Sequence, residues 1–219
     1  MKRVGVVLAG CGFLDGAEIQ EAVATLLALD KRGVQITNMA PNIAQMHVVD
    51  HVNQTEAAYN RNVLHESARI ARGEIVDLDA VDISTLDAVI FPGGFGAAKN
   101  LCDFAVKGVE MTVLPRVEAI IKECADAGKP MGFICIAPVI AARVLGEHAP
   151  GVELTIGNDE GTAAAIEHMG GKHINTEPGQ IHVDAQRKVV STPAYMIGPS
   201  IAPVFEGIDA CVEAVLDLC

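Results

Sequence analysis

The chain has 219 residues, half of them hydrophobic and a fifth charged. That is enough to bury a sizeable core, and it excludes a disordered segment or a fibre. Sixteen Lys and Arg stand against 28 Asp and Glu, a net charge of −12, which argues against a general nucleic-acid binder and against docking on an anionic membrane, since both need clustered cations.

The longest uncharged run, residues 189–205, holds Pro193, Pro199 and Pro203 and makes no clean membrane-spanning helix. Six cysteines are scattered, with no C-x-x-C pair. This usage fits a reducing compartment, and the expected location is cytoplasmic. Leu8-Ala9-Gly10-Cys11 resembles a lipoprotein cleavage box, but cutting there would delete the best candidate for a first strand.

Residues 3–9 are apolar and β-branched and read as a buried parallel strand. Ile19, Val23, Leu26 and Leu27 lie on one helical face, with Asp15 as N-cap and Lys31-Arg32-Gly33 as the stop. Residues 34–39 form the next strand and complete a βαβ unit. Residues 55–72 read as a helix closed by Gly73, within an elaboration around 41–75 that lies beside the main sheet.

A strand at 88–91 runs into Pro92-Gly93-Gly94-Phe95-Gly96. A helix from Leu114 to Cys124 follows, with Pro115 in its first turn. Then come a strand at 131–134, a helix at 137–145 and a short helix at 162–169. A hairpin pairs 181–183 with 189–191, and a closing helix from Ser200 carries Ile201, Phe205, Ile208, Val212 and Val215. The alternation predicts one domain over 1–219, a doubly wound α/β sandwich with a mainly parallel sheet.

The sharpest feature is Gly132-Phe133-Ile134-Cys135-Ile136-Ala137-Pro138, a strand that stops at a cysteine where a helix begins. This is the pattern of a nucleophile elbow, in which a tight turn lifts the thiol above the sheet and helix amides lower its pKa. The plain alternative is a core cysteine. If the two strands are neighbours, the amides of Gly94 and Ile136 face one oxygen as an oxyanion hole. Glu18 opens the first helix and reaches the same edge; it either caps the helix or, with a pKa raised beside the thiolate, shuttles its proton.

These segments, 88–100 and 132–138 with Gly16-Ala17-Glu18, resemble the class I glutamine-amidotransferase-like superfamily, in its branch of Parkinson disease protein 7 and PfpI-type proteins. Over the whole chain the sequence resembles the enhancing-lycopene-biosynthesis group. The resemblance implies a flavodoxin-like sandwich that forms a homodimer, with Cys135 as nucleophile, Glu18 as its carboxylate partner and Gly94 and Ile136 as the oxyanion site. Gly93 and Phe95 are expected at the substrate.

The resemblance further implies cofactor-free glyoxalase activity on a small aldehyde, glyoxal to glycolate through a Cys135 hemithioacetal, with protein deglycase activity as an extension. No metal and no cofactor is expected. The sequence departs from the protease-like members, which carry His after the elbow cysteine where Ile136 stands here. His173 and Glu177 are four apart, not the late His and Glu two apart of glutaminases. Asn158 or Asp159 stands where other members place an auxiliary His.

Two weaker signals point elsewhere. Gly10-x-Gly12 lacks the G-x-G-x-x-G spacing of dinucleotide sites. His47 and His51 have helical i, i+4 spacing for zinc, but such pairs are common by chance. The main alternative function is a non-enzymatic redox sensor or chaperone that uses the same cysteine.

Overall fold

A computed structural model describes residues 1–219. Its main sheet has seven strands: β1 (Arg3–Val7), β2 (Gln35–Ala40), β3 (Val76–Asp77), β4 (Ala88–Phe91), β5 (Met131–Ile134), β6 (His182–Asp184) and β7 (Val189–Thr192). They lie in the order β6-β7-β5-β4-β1-β2-β3. Every neighbouring pair is parallel except β6 with β7. The larger helices are α1 (Ile19–Lys31), α2 (Val63–Ile70), α3 (Pro115–Asp126), α4 (Pro138–His148), α5 (Glu160–His168) and α6 (Ile201–Asp217).

Both faces of the sheet are covered, as a parallel sheet requires. Val4, Val6, Leu8, Ile90 and Ile134 point to the side of α1, α2 and α6. Val7, Ala9, Phe91, Phe133 and Val189 point to the side of α3, α4 and α5. Phe91 and Phe133 stack across β4 and β5 with centroids 4.9 Å apart, an apolar floor beneath the elbow. The result is the expected flavodoxin-like doubly wound sandwich.

Strand order reverses between β1 and β4: the chain runs outward through β2 and β3, then returns to lay β4 on the other side of β1. In an open α/β sheet the crevice at the carboxyl ends of the strands beside such a point is the place for a site. The pairs Val6↔Ile90, Ile90↔Gly132 and Ile134↔Thr192 bring the ends of β1, β4, β5 and β7 to one edge.

Several local expectations are corrected. Asp15 does not cap α1. It is fully buried, and its Oδ2 accepts from the Val49 amide at 2.7 Å, fastening the elaboration to the loop after β1. The residues 55–72 are not one helix. Thr55–Glu56 pairs with Val49–Asp50 in a small antiparallel ribbon turned at Gln54, which has φ 56°. The helix starts only at Asn62, whose side chain accepts from the His65 amide at 3.1 Å. His51 lies in the ribbon's turn, so helical spacing with His47 is not realised. No group of three or more His, Cys, Asp and Glu is arranged to hold a metal ion.

On α1 the apolar stripe points the other way from that expected. Glu21, Ala22, Thr25, Ala28 and Leu29 are buried, whereas Ile19, Val23 and Leu27 are 43%, 48% and 45% exposed. Small residues let α1 lie close on the sheet, and the large ones face outward. The run that ends at Cys11 supplies β1, an interior strand paired on both edges, with β2 and β4. No helix is long and apolar enough to cross a membrane.

Candidate active site

Cys135 sits at the carboxyl end of β5 with φ 62°, the left-handed turn that a nucleophile elbow demands of a non-glycine residue. Its amide donates to Thr192 O on β7 at 2.9 Å, which pins the elbow to the neighbouring strand. α4 begins three residues on with Pro138 in its first turn. The amides of Gly94 and Ile136 lie near enough to the Cys135 thiol to favour its charged form. The fold thus brings Cys135, Gly93, Gly94 and Ile136 together.

Close approach explains the glycines. A Cβ at Gly93 would lie 2.4 Å from Cys135 Cβ and 2.8 Å from Ile134 O. Gly94 has φ 90°, and a Cβ there would lie 2.3 Å from the Glu18 nitrogen. We expect Gly93→Ala to destabilise the protein by about 1–3 kcal/mol through overpacking against rigid backbone. Urea denaturation measures this, and an unchanged midpoint would mean that the junction yields freely.

The carboxylate that meets the thiol is not Glu18 but Glu21, one helical turn further along α1. Glu18 is the N-cap of α1: its Oε2 accepts from the Glu21 amide at 2.7 Å. Its pKa is raised by burial against the pull of the Glu21 and Gln20 amides. Glu21 is fully buried and lies beside Cys135: a Cβ at Gly93 would meet Cys135 Cβ at 2.4 Å and Glu21 Oε2 at 2.7 Å. Its Oε2 accepts from the Gly93 amide at 3.1 Å and its Oε1 from the Tyr195 amide at 3.2 Å. Each oxygen is therefore held by the loop after a different strand.

Burial pushes the Glu21 carboxyl up to about 8, against the lowering pull of the Tyr195 amide. The same burial, with the Glu21 charge next, raises the Cys135 thiol well above its ordinary value. The amides of Gly94 and Ile136 oppose this and do not overcome it. The expected lowering of the thiol pKa by helix amides is corrected accordingly. At neutral pH the pair rests as a carboxylic acid beside a thiol, and Glu21 gains the capacity of a base as pH approaches 8.

Phe95 is 48% exposed, with Lys99 Nζ 5.2 Å from its ring centroid. Asn158 is exposed and makes no hydrogen bond to the junction, and Asp159 caps α5 through the Thr162 amide at 2.8 Å. His173 Nε2 faces the Ile156 amide at 3.4 Å, away from Cys135. No histidine pairs with the thiol, so neither the protease pattern nor the glutaminase pattern is present.

A buried thiol on a nucleophile elbow, above the switch point of a flavodoxin-like sheet, defines the class I glutamine-amidotransferase-like architecture. No family model matches the chain. The human glutamine amidotransferase-like class 1 domain-containing protein 3, mitochondrial, is 48% identical over 99% of this chain and 83% of its own length. The rat ES1 protein homolog, mitochondrial, is 46% identical over 99% of this chain and 84% of its own. A crystal structure of an isoprenoid biosynthesis protein with amidotransferase-like domain from Ehrlichia chaffeensis superposes with a TM-score of 0.93 at 34% identity, covering 100% and 99% of the two chains. A DJ-1 superfamily protein of Salmonella typhimurium shares the fold at a TM-score of 0.56 and 23% identity, over 97% and 95% of the chains.

The chain belongs to the family of glutamine amidotransferase-like class 1 domain-containing and ES1 proteins. These relatives overturn the cytoplasmic expectation, since both carry a mitochondrial designation. Cysteine usage separates reducing from oxidising surroundings and does not name the compartment.

Proposed function

We propose that the protein is a cofactor-independent glyoxalase that converts glyoxal to glycolate, with Cys135 as nucleophile and Glu21 as the proton carrier. The observation that carries this reading is a fully buried carboxyl, poised near pH 8, against an elbow thiol faced by two backbone amides. A carboxyl tuned to that range both gives and takes a proton.

In the first step the S–C bond forms, the carbonyl electron pair moves to oxygen, and the thiol proton reaches that oxygen by way of Glu21. The developing oxyanion lies beside the Gly94 and Ile136 amides. Ionised Glu21 then takes the proton from the adducted carbon and passes it to the neighbouring carbonyl oxygen, leaving an enediol. Protonation of the neighbouring carbon, with loss of the hydroxyl proton from the adducted carbon, yields the glycolyl thioester. One carbon is oxidised and its neighbour reduced, so no outside electron acceptor is needed. Water attacks the thioester, the C–S bond breaks, and the thiol regains its proton.

Cys135 is only 7% exposed. This enclosure favours a two-carbon aldehyde over a protein-bound adduct, and so glyoxalase over deglycase chemistry. The enclosure also favours one second reading, a redox sensor in which a small oxidant enters and the Glu21 acid and two amides hold the oxidised sulfur. Counting glycolate per protein separates the two. Many equivalents, lost in Cys135→Ser, support the enzyme; at most one modification per site supports the sensor.

The proposed enzyme works as a homodimer. Ile19, Val23 and Leu27 of α1 run beside Ile201 and Phe205 of α6 and line an apolar groove of about 490 Å³. A second copy related by a two-fold axis would cover this exposed apolar stripe. Light scattering on purified protein should give twice the chain mass, and Val23→Glu should halve it. A wild-type monomer would sink the dimer.

A further inference from the structure

The turn after β7 is an unusual piece of backbone that the chemistry above does not by itself require. Thr192, the last residue of β7, accepts the Cys135 amide with its carbonyl. Pro193 follows. Ala194 then adopts φ 42°, a left-handed conformation that costs a residue with a Cβ, and it does so while 4% exposed. The consequence falls on the next residue. Tyr195 aims its amide at Glu21 Oε1, 3.2 Å away, and its hydroxyl hydrogen-bonds Oε1 of Gln20. The two ends of one tyrosine therefore grip consecutive residues of α1.

The turn is closed on itself. The Met196 amide donates to Pro193 O at 2.9 Å and the Gly198 amide to Ala194 O at 2.8 Å. A Cβ at Gly198 would lie 2.7 Å from that same carbonyl, so the chain beyond is packed tightly onto the strained residue. Strain held in place by surrounding packing, next to the residue whose amide holds Glu21, is a mark of preorganisation.

We infer that the strained Ala194 turn is a positioning device: it carries the Tyr195 amide to Glu21, fixes the orientation of that carboxyl toward Cys135, and sets the pH at which the pair gives up its proton. Tyr195 and Ala194 act through Glu21 and touch no reacting atom. The inference rests on Glu21 and Cys135 being the reactive pair. It does not depend on glyoxal being the substrate.

The test replaces Tyr195 by its α-hydroxy analogue, so that a backbone ester takes the place of the amide. Only the N–H to Glu21 is removed; ring and hydroxyl stay. The readout is the ¹³C NMR titration of the Glu21 carboxyl, assigned by its loss in Glu21→Gln. In the unmodified protein the midpoint is expected near the value of about 8 that burial imposes.

Removing a donor to the carboxylate disfavours the charged form, so the ester should raise the midpoint by about one pH unit. Ala194→Gly, which permits the same φ without strain, should keep the original midpoint. Ala194→Val, which resists positive φ, should move it upward as the ester does. A midpoint unchanged in the ester protein overturns the inference. If the ester protein does not fold, an unchanged midpoint in folded Ala194→Val does the same. Glyoxal turnover is scored separately. A shifted midpoint with no turnover would retire the glyoxalase reading and keep the positioning role, whereas turnover with an unmoved midpoint would do the reverse.

Discussion

Glu21→Gln is expected to lower glycolate formation from glyoxal by about 100- to 10,000-fold, the usual worth of a positioned general acid–base. Glu18→Ala should stay within a few-fold of the parent. The contrast follows from which oxygen atoms are already committed. Glu18 spends its carboxylate on the Glu21 amide at the start of α1, and its removal costs an N-cap, about 1 kcal/mol of stability. Glu21 faces the thiol and has no solvent to replace it. The parent rate should climb with pH toward about 8, as Glu21 loses its proton and becomes able to accept one. Steady-state assays across pH 6–9 measure both effects. Equal losses in the two variants would return Glu18 to the chemistry.

The second large effect is on stability. Glu21 titrates near 8 in the folded chain and at the ordinary 4.5 when unfolded. Between those values the folded state holds a proton that the unfolded state has released. Stability from this group is therefore full below pH 4.5 and falls as pH rises toward 8, by about 1.4 kcal/mol per unit. The total is roughly 5 kcal/mol over the window. Glu21→Gln has nothing to titrate, so its curve should lack this slope. Its absolute stability at pH 5 should be lower, because an amide nitrogen cannot accept from both Gly93 and Tyr195. Urea denaturation at pH 5.5, 6.5 and 7.5 reads the difference between the two proteins, in which other titrations cancel. Parallel curves would show that Glu21 is not held as a buried acid.

Much of the frame was legible in the sequence because apolar runs report burial. The strands at 88–91 and 131–134 were read to the residue, since a strand buried on both faces is a continuous apolar run between breakers. The elbow was legible for the same reason: Cys135 ends such a run and a helix starts at once. The approach of Gly94 and Ile136 to one atom followed from β4 and β5 being neighbours, which chain order suggested.

Glu21 is masked in the sequence by Glu18, which stands at the helix start and offers the more familiar role. The signal lay in the periodicity. Positions 21, 22, 25, 28 and 29 form the face that packs on the sheet, and a lone acid among Ala, Thr and Leu on that face has no solvent to reach. Recognising this required assigning the small residues of α1 to the core and the large ones to the surface. A monomer's hydrophobic pattern argues the opposite way. Tyr195 was illegible, because its part is played by a backbone amide whose direction depends on a positive φ at an alanine. The elaboration was misread over 55–61 because its ribbon is only two residues long on each side, too short for alternation to register.

The most direct measurement is the mass of the Cys135 peptide from protein quenched during glyoxal turnover. The Glu21→Gln variant should accumulate one glyoxal equivalent on Cys135, because a thiol still adds to an aldehyde, more slowly, without Glu21, whereas the proton on the adducted carbon then has no carrier. The parent should show a smaller steady amount and release glycolate. Glycolate formation with no adduct at Cys135, or an adduct confined to Cys11 or Cys219, would contradict the account.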